Sequence, residues 1–333
     1  MAAMTQVPPY DHGQENPTMR IGASDLDVCR MGLGGNVFGW TADESTSFEV
    51  LDAYLHAGGN LIDTADGYSY WAPGNSGGES ETVIGSWLAS RPARDRIVLA
   101  TKVSTKPDRP GLSTDNIRLA LEESLLRLRT DVVDIYYAHF DDESTPLEET
   151  VAAFEEARRA GRIRHVGLSN YTPERIRQWF AIADSQGSAR PIVLQPHYNL
   201  LHRDDVEGSG GRGQVAAELG MGMMPYFALA AGFLTGKYRR GEVIDGDRAG
   251  MVADYQQPEC YDVVDVVTQV AANHGVEPAA VALAWLRDRP GVVAPLASAR
   301  NLKQLRPIVD ALTLELSDEE TRALTRVSDA AHS

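Results

Sequence analysis

Short apolar runs and amphipathic helical stretches alternate eight times along this chain. The runs fall at 31–35, 61–63, 97–102, 132–137, 163–168, 192–195, 221–226 and 292–296. Helical patterns fill 43–57, 79–90, 113–129 and 147–160, the last ending at Gly161 as a C-cap. Another opens at Thr172-Pro173, with Thr as N-cap and Pro at the first position, and one more ends near Glu218-Leu219-Gly220. The segment 227–258 reads as mostly irregular, and helices follow at 258–272 and 278–287. Apolar strands that alternate with helices predict a parallel sheet with helical crossovers. Eight such units and no change of composition predict a closed (β/α)8 TIM barrel.

Two additions frame the barrel. Residues 19–21 and 27–29 flank the turn-like Gly22-Ala23-Ser24-Asp25, which predicts an N-terminal β-hairpin. Stretches 301–311 and 317–330 predict extra C-terminal helices. Residues 1–18, rich in Pro, Gly, Gln and Asn, read as a disordered tail, leaving 19–333 as a single barrel domain. A chain of 333 residues suits either two domains or one barrel of about 250 residues or more. A doubly wound sheet is the other arrangement of such units. It would place a Gly-rich phosphate motif after the first strand, and Gly32, Gly34 and Gly35 do not fit GxGxxG followed by a helix.

Composition bounds the function. Lys and Arg number 31 against 47 Asp and Glu, a net charge of −16. That argues against broad binding to nucleic acid or to an anionic membrane. It leaves room for an anionic ligand in a locally basic pocket. No apolar run reaches the length of a membrane span, and no basic end followed by an apolar core suggests a signal peptide. Cys29 and Cys260 lie far apart and form no CxxC pair, which fits a reducing cytoplasm.

In a barrel of this kind the active site lies at the C-terminal ends of the strands. The second apolar run ends at Asp63, with Tyr68 in the loop beyond it. The third ends at Lys102, the fourth runs into His139, the fifth ends at Ser169-Asn170 and the sixth at Gln195. Alone, Asp63 also fits a loop cap, Lys102 a solvated lysine and His139 a structural histidine. Runs two, three and four are neighbours in a barrel, so Asp63, Tyr68, Lys102 and His139 should converge. A phenol has a reference pKa of about 10, and a neighbouring ammonium would lower it. A carboxylate would hold that ammonium in place, and an imidazole would orient a carbonyl oxygen. The set suits protonation of an oxygen that gains negative charge, as in carbonyl reduction. A metal site is disfavoured, because no HExxH or similar cluster is present. A serine nucleophile is disfavoured because no GxSxG occurs.

The motifs resemble those of the aldo-keto reductase superfamily, most closely its bacterial branch that also resembles potassium-channel β subunits. They are Asn60-Leu61-Ile62-Asp63-Thr64-Ala65 with Tyr68, Ala100-Thr101-Lys102, Asp134-Ile135-Tyr136-Tyr137-Ala138-His139 and Gly167-Leu168-Ser169-Asn170. Gln195-Pro196-His197-Tyr198-Asn199-Leu200 and Leu234-Thr235-Gly236-Lys237-Tyr238 complete the series, which runs in order from about Arg20 to the end. The resemblance implies a barrel that binds NADP(H) without a dinucleotide fingerprint and reduces an aldehyde or ketone reversibly. It implies Tyr68 as general acid/base, tuned by Lys102 and Asp63, with His139 orienting the substrate. Ser169, Asn170 and Gln195 would hold the carboxamide, and Tyr226 would stack on the nicotinamide. Leu229, Gly232 and Lys237 are carried over as cofactor-binding. Ser298, Arg300 and Gln304 match the segment at the adenosine phosphate end, where an arginine suits a 2′-phosphate.

The chain departs from the family pattern in places. Phe227-Ala228-Leu229 stand where Ser-Pro-Leu is usual, and Pro307 and Ile308 stand near the usual Glu and Asn. The loop 69–78 is longer than in many relatives; Tyr70, Trp71 and Pro73 suit either a substrate wall or a loop packed on its own aromatics. The channel β subunits supply an alternative function, an NADP(H)-binding, redox-sensing interaction protein. The expected partner is a small carbonyl compound in the cytoplasm; no readable motif names that compound or the oligomeric state.

Overall fold

The computed structural model describes residues 16–242 and 249–331. Residues 1–15, most of the stretch expected as a tail, lie outside the described residues. Thr18, its last residue, already belongs to β1 (Thr18–Arg20), which pairs antiparallel with β2 (Asp27–Cys29). The turn between them packs against one end of the barrel. A Cβ on Gly22 would meet the Ile192 and Gly220 carbonyls at 2.5 and 2.7 Å, and its φ of +47° also favours glycine. Ile21, Leu26 and Val28 join Leu61, Val98, Ile135 and Val193 in the barrel interior. The hairpin therefore closes the end of the barrel from which the strands start.

Eight parallel strands form one sheet: β3 (Gly32–Gly34), β4 (Leu61–Asp63), β5 (Val98–Val103), β6 (Val133–Ala138), β7 (Ile163–Ser169), β8 (Val193–Gln195), β9 (Gly222–Met223) and β10 (Leu296–Ala297). The order is β10-β3-β4-β5-β6-β7-β8-β9. A parallel bridge between Met223 and Val292 joins the two ends and closes the ring. The fold is the expected (β/α)8 barrel with its N-terminal hairpin. Two strands are shorter than their apolar runs, because proline has no N–H to give a ladder. Pro225 ends β9 early. Pro295 interrupts the last run: Val292 and Val293 pair with Met223 before it, and after it Leu296 and Ala297 pair with β3 while the Leu296 amide donates to the Pro225 carbonyl.

Helices α1 (Glu44–His56), α2 (Glu79–Ser90), α3 (Thr114–Leu128), α4 (Leu147–Arg159), α5 (Pro173–Gln186), α6 (Asp204–Glu207) and α7 (Arg212–Glu218) fill the crossovers. Their starts follow the sequence: Asp43 accepts from the Thr46 amide at 2.8 Å, and Thr172 accepts from the Arg175 amide before Pro173 sets the first turn. The segment expected to be irregular holds a 3-10 stretch at Ala230–Thr235 and the short helix α8 (Ala249–Val252). Then come α9 (Pro258–His274), α10 (Pro278–Arg287), α11 (Leu302–Thr313) and α12 (Asp318–Ala330). Ser317 opens α12 with a reciprocal capping box to Glu320. No described helix is long and apolar enough to cross a membrane, and both cysteines are buried free thiols.

Candidate active site

Parallel pairing brings the ends of β4, β5 and β6 side by side, with Asp63 opposite Ala100 and Lys102 opposite Tyr137. Asp63, Tyr68, Lys102 and His139 meet there. Lys102 is wholly buried. Its Nζ donates to Asp63 Oδ2 at 2.6 Å, to the Thr64 carbonyl at 2.8 Å and to Tyr68 Oη at 3.0 Å. The three donors of the ammonium are therefore all used. Its charge also lies 4.6 Å from the Tyr68 ring centre and 5.8 Å from that of Tyr137. The Tyr68 and His139 rings meet edge to face at 6.1 Å.

Burial would strip the proton from Lys102, but the Asp63 carboxylate and the Tyr68 hydroxyl outweigh it and hold the amine above the ordinary lysine value. For Tyr68 burial dominates, and Asp63 acts in the same direction; together they outweigh the lowering pull of Lys102, so the phenol lies above its ordinary value. This corrects the expectation of a lowered phenol: the ammonium acts in the expected direction but does not win. Burial, helped by the Lys102 cation, pushes His139 well below the ordinary imidazole value, so its ring is neutral. Thr105 Oγ1 lies 3.2 Å from His139 Nδ1.

Beside this set the ends of β7 and β8 form a polar relay. Ser169 Oγ donates to the Gln195 carbonyl at 2.9 Å. Asn170 Nδ2 donates to Ser169 Oγ at 3.1 Å and to the His139 carbonyl at 3.0 Å. Tyr226 Oη donates to Asn170 Oδ1 at 2.7 Å. Asn170 takes a left-handed φ of 62°, which asparagine tolerates. Gln195 Nε2 donates to Asp63 Oδ1 at 3.0 Å. Burial pushes the Tyr226 phenol up to about 12, so it remains a neutral donor and a flat ring.

The remaining sequence candidates form two groups. Leu229 leads into the 3-10 stretch, where Gly232 has a φ of +99° and a Cβ would lie 3.3 Å from Lys237 Nζ. Ser298 Oγ donates to Asn36 Oδ1 at 2.6 Å, and a Cβ on Gly34 would meet Ser298 Oγ at 2.7 Å. Gln304 Oε1 accepts from the Arg300 amide at 3.2 Å and so holds the turn before α11. The Arg300 guanidinium is exposed and pairs with no described carboxylate. Pro307 and Ile308 are buried, Ile308 against the core, and present nothing at this surface.

Sequence reasoning missed Asn36, Thr105 and Tyr137. Asn36 follows the Gly-rich exit of the first strand, a signal that could have found it. Thr105 and Tyr137 reach the site only through His139, beyond the end of β6, and Lys102, on β5, which no local spacing announces.

A family model described as "Aldo/keto reductase family" matches residues 30–329. The chain belongs to this family. It is 32% identical to the protein tas of Escherichia coli over 90% of this chain and 94% of that protein. It is 33% identical to the uncharacterized oxidoreductase YrpG of Bacillus subtilis over 92% of this chain and 94% of that protein. It is 31% identical to the norsolorinic acid reductase stcV of Emericella nidulans over 93% of this chain and 79% of that protein. Membership makes the chain an oxidoreductase, and aldo-keto reductases generally use nicotinamide cofactors.

The residues present fit such a cofactor. Ser169, Asn170 and Gln195 offer donors and acceptors for a carboxamide beside the flat ring of Tyr226. The bare backbone at Gly232 next to an ammonium, and an exposed guanidinium at Arg300, suit phosphate oxygens.

Proposed function

We propose that this aldo-keto reductase is an NADPH-dependent carbonyl reductase in which Tyr68 delivers the proton. The observation that carries the reading is the single ammonium of Lys102 shared between Asp63 Oδ2 and Tyr68 Oη at 2.6 and 3.0 Å. The bound reduced cofactor supplies the hydride. The chain's own residues do the rest. With Thr105 donating to Nδ1, the neutral His139 carries its proton on Nε2 and offers it to the substrate carbonyl oxygen. That hydrogen bond holds the oxygen within reach of Tyr68 and favours the charge that builds on it. As that charge develops, the Tyr68 O–H bond breaks and the proton passes to oxygen, giving the alcohol. The phenolate left behind faces the Lys102 ammonium, which Asp63 keeps in place. In alcohol oxidation the phenolate takes the proton back. The raised phenol of the resting site suits this order of events: it keeps its proton until a stronger base forms beside it.

Tyr68→Phe tests the assignment. General acid catalysis typically contributes about 10²–10⁴-fold, so turnover is expected to fall by that order while NADPH binding, read by fluorescence, persists. Undiminished turnover ends the reading. The preference for NADPH over NADH rests on Arg300, whose planar fork matches a 2′-phosphate. Arg300→Ala is expected to raise the KM for NADPH by about ten-fold, the scale of a charge-assisted hydrogen bond, and to spare that for NADH. An equal effect on both removes Arg300 from this role.

A further inference from the structure

The half-buried Tyr226 ring is backed by two imidazoles that the proton transfer does not use. A parallel bridge joins His197 to Tyr226, and the Tyr226 amide donates to the Pro196 carbonyl at 3.0 Å. The His197 and Tyr226 rings stack with their centres 5.4 Å apart and their planes at 27°. The His202 ring lies flat on His197, centres 3.8 Å apart and planes at 6°. The two imidazoles are five residues apart in the chain, a spacing that neither a helix nor a strand brings face to face. A tight turn does so here: the Asn199 and His202 backbones exchange hydrogen bonds of 3.2 and 3.1 Å and fold one ring onto the other.

Each ring of the stack has a partner at its edge. The buried Asn199 amide is oriented by its own bonds: Oδ1 accepts from the Leu201 amide at 2.7 Å, and Nδ2 donates to the Phe227 carbonyl at 2.9 Å. The same Nδ2 lies 3.3 Å from His197 Nε2, and Tyr255 Oη lies 3.4 Å from that nitrogen. An amide nitrogen only donates, so Nε2 accepts, and His197 is neutral with its proton on Nδ1. Burial, with His202 beside it, brings His197 down to about 4, and Asp205 offsets this only in part. Phe227 meets the His197 ring edge to face at 5.2 Å. His202 Nε2 instead lies 3.2 Å from Asp205 Oδ1, and Arg212 pairs with the other oxygen of that carboxylate. Arg212 Nε is itself anchored on the Tyr171 carbonyl at 2.9 Å. At the far end of the stack Tyr226 Oη is tied to Asn170.

We propose that His197 and His202 are positioning residues, a brace that holds the Tyr226 ring flat against the nicotinamide half of the cofactor. The inference rests on the reading that Tyr226 stacks on the nicotinamide. The hydrogen bond at Tyr226 Oη fixes one end of the ring, but that oxygen lies on the axis about which the ring turns, so the bond alone does not set the plane. His197, lying on one face, sets it, and His202 sets His197 in turn. Stacked rings attract beyond the area they bury, and a platform fixed before the ligand arrives loses no freedom when it binds. Ser298, Arg300 and Gln304, matched to the adenosine end, belong to the segment around β10 and α11. The brace therefore acts on one half of the cofactor.

The test measures Kd by calorimetry for NADPH and for adenosine 2′,5′-bisphosphate, which lacks the nicotinamide. It uses the wild type, His197→Ala and His202→Ala, with His197→Phe and His202→Phe as variants that keep a flat ring. The wild type is expected to bind NADPH more tightly than the bisphosphate. Each Ala variant is expected to weaken NADPH by about three- to ten-fold, the scale of one aromatic pair, and to leave the bisphosphate unchanged. Each Phe variant is expected to restore most of the loss. The His202 side chain is 40% exposed, so a folding defect at His197 does not shield the proposal. An NADPH-to-bisphosphate ratio that either Ala variant leaves unchanged overturns the inference, whether both ligands weaken alike or neither does; a merely structural role gives that result. Phe variants that behave as the Ala variants overturn it too, because a flat ring is then not what the pair supplies. A wild type that binds the bisphosphate as tightly as NADPH overturns the stacking of the nicotinamide on Tyr226, and this inference with it.

Discussion

Gln195 Nε2 donates to Asp63 Oδ1 at 3.0 Å, from the end of β8 to the end of β4. Gln195 matches a cofactor-holding residue in sequence, and its amide also fixes the carboxylate that positions Lys102. The two halves of the proposed site thus share one side chain. Gln195→Ala is expected to weaken cofactor binding and also to lower kcat at saturating cofactor by about ten-fold, the cost of one buried hydrogen bond. A variant with a raised cofactor KM and an unaltered kcat would show that Gln195 serves the cofactor alone.

Lys102 and Asp63 are a buried ion pair, and removing one partner leaves an uncompensated charge. Lys102→Met is expected to cost about 3–5 kcal/mol of stability and nearly all turnover. Combining it with Asp63→Asn removes the stranded charge. The double variant should regain much of the lost stability, read by chemical denaturation, and none of the activity. Recovery of turnover together with stability would mean that the pair only builds the fold.

The direction of the pKa shifts sets a pH profile. Tyr68 lies above its ordinary value near 10 and His139 well below its ordinary 6.5. In the free enzyme the phenol keeps its proton, and the imidazole stays neutral, from pH 6 to 9. Carbonyl reduction needs the protonated phenol, so kcat/KM should be flat over that range and fall only beyond pH 10. Alcohol oxidation needs the phenolate and should quicken as pH rises. A break in the reductive profile near pH 6.5 would mean that His139 titrates during catalysis.

The barrel was legible because a period of strand and helix repeated eight times has few other solutions. Its seams were not. Pro225 and Pro295 look like members of apolar runs until each is asked for an N–H, and then Pro225 cuts β9 short and Pro295 delays the start of β10. Asp63, Lys102 and His139 could be placed together because strand order alone makes their ends neighbours. The direction of the Tyr68 shift could not, because it depends on how completely the phenol leaves water. Asn36, Thr105 and the Gln195–Asp63 bond were hidden for the same kind of reason. Each is defined by a partner 34 to 262 residues away.

Asp66, two residues before Tyr68, carries a cost that grows with pH. Its backbone amide donates to the Lys102 carbonyl at 3.1 Å, while its carboxylate is buried and receives no well-aligned hydrogen bond from a described residue. Glu81, itself bonded to Thr101 at 2.5 Å and Arg127 at 2.7 Å, adds a like charge nearby. Burial first and Glu81 second push Asp66 up to about 7; Arg127, Arg109 and the Gly67 amide offset this only in part. Between the ordinary carboxylate value of 3.8 and about 7 the folded chain holds a proton that the unfolded chain has released. Stability contributed by this site therefore falls as pH rises through that window, and the full penalty of about 4 kcal/mol is reached above it. Asp66→Asn cannot ionise. Whatever its absolute stability, the difference between variant and wild type should move in the variant's favour by about 3 kcal/mol from pH 5 to pH 8.5, read by urea denaturation at both values. A difference that does not change with pH would mean that Asp66 is ionised throughout and paired in solution.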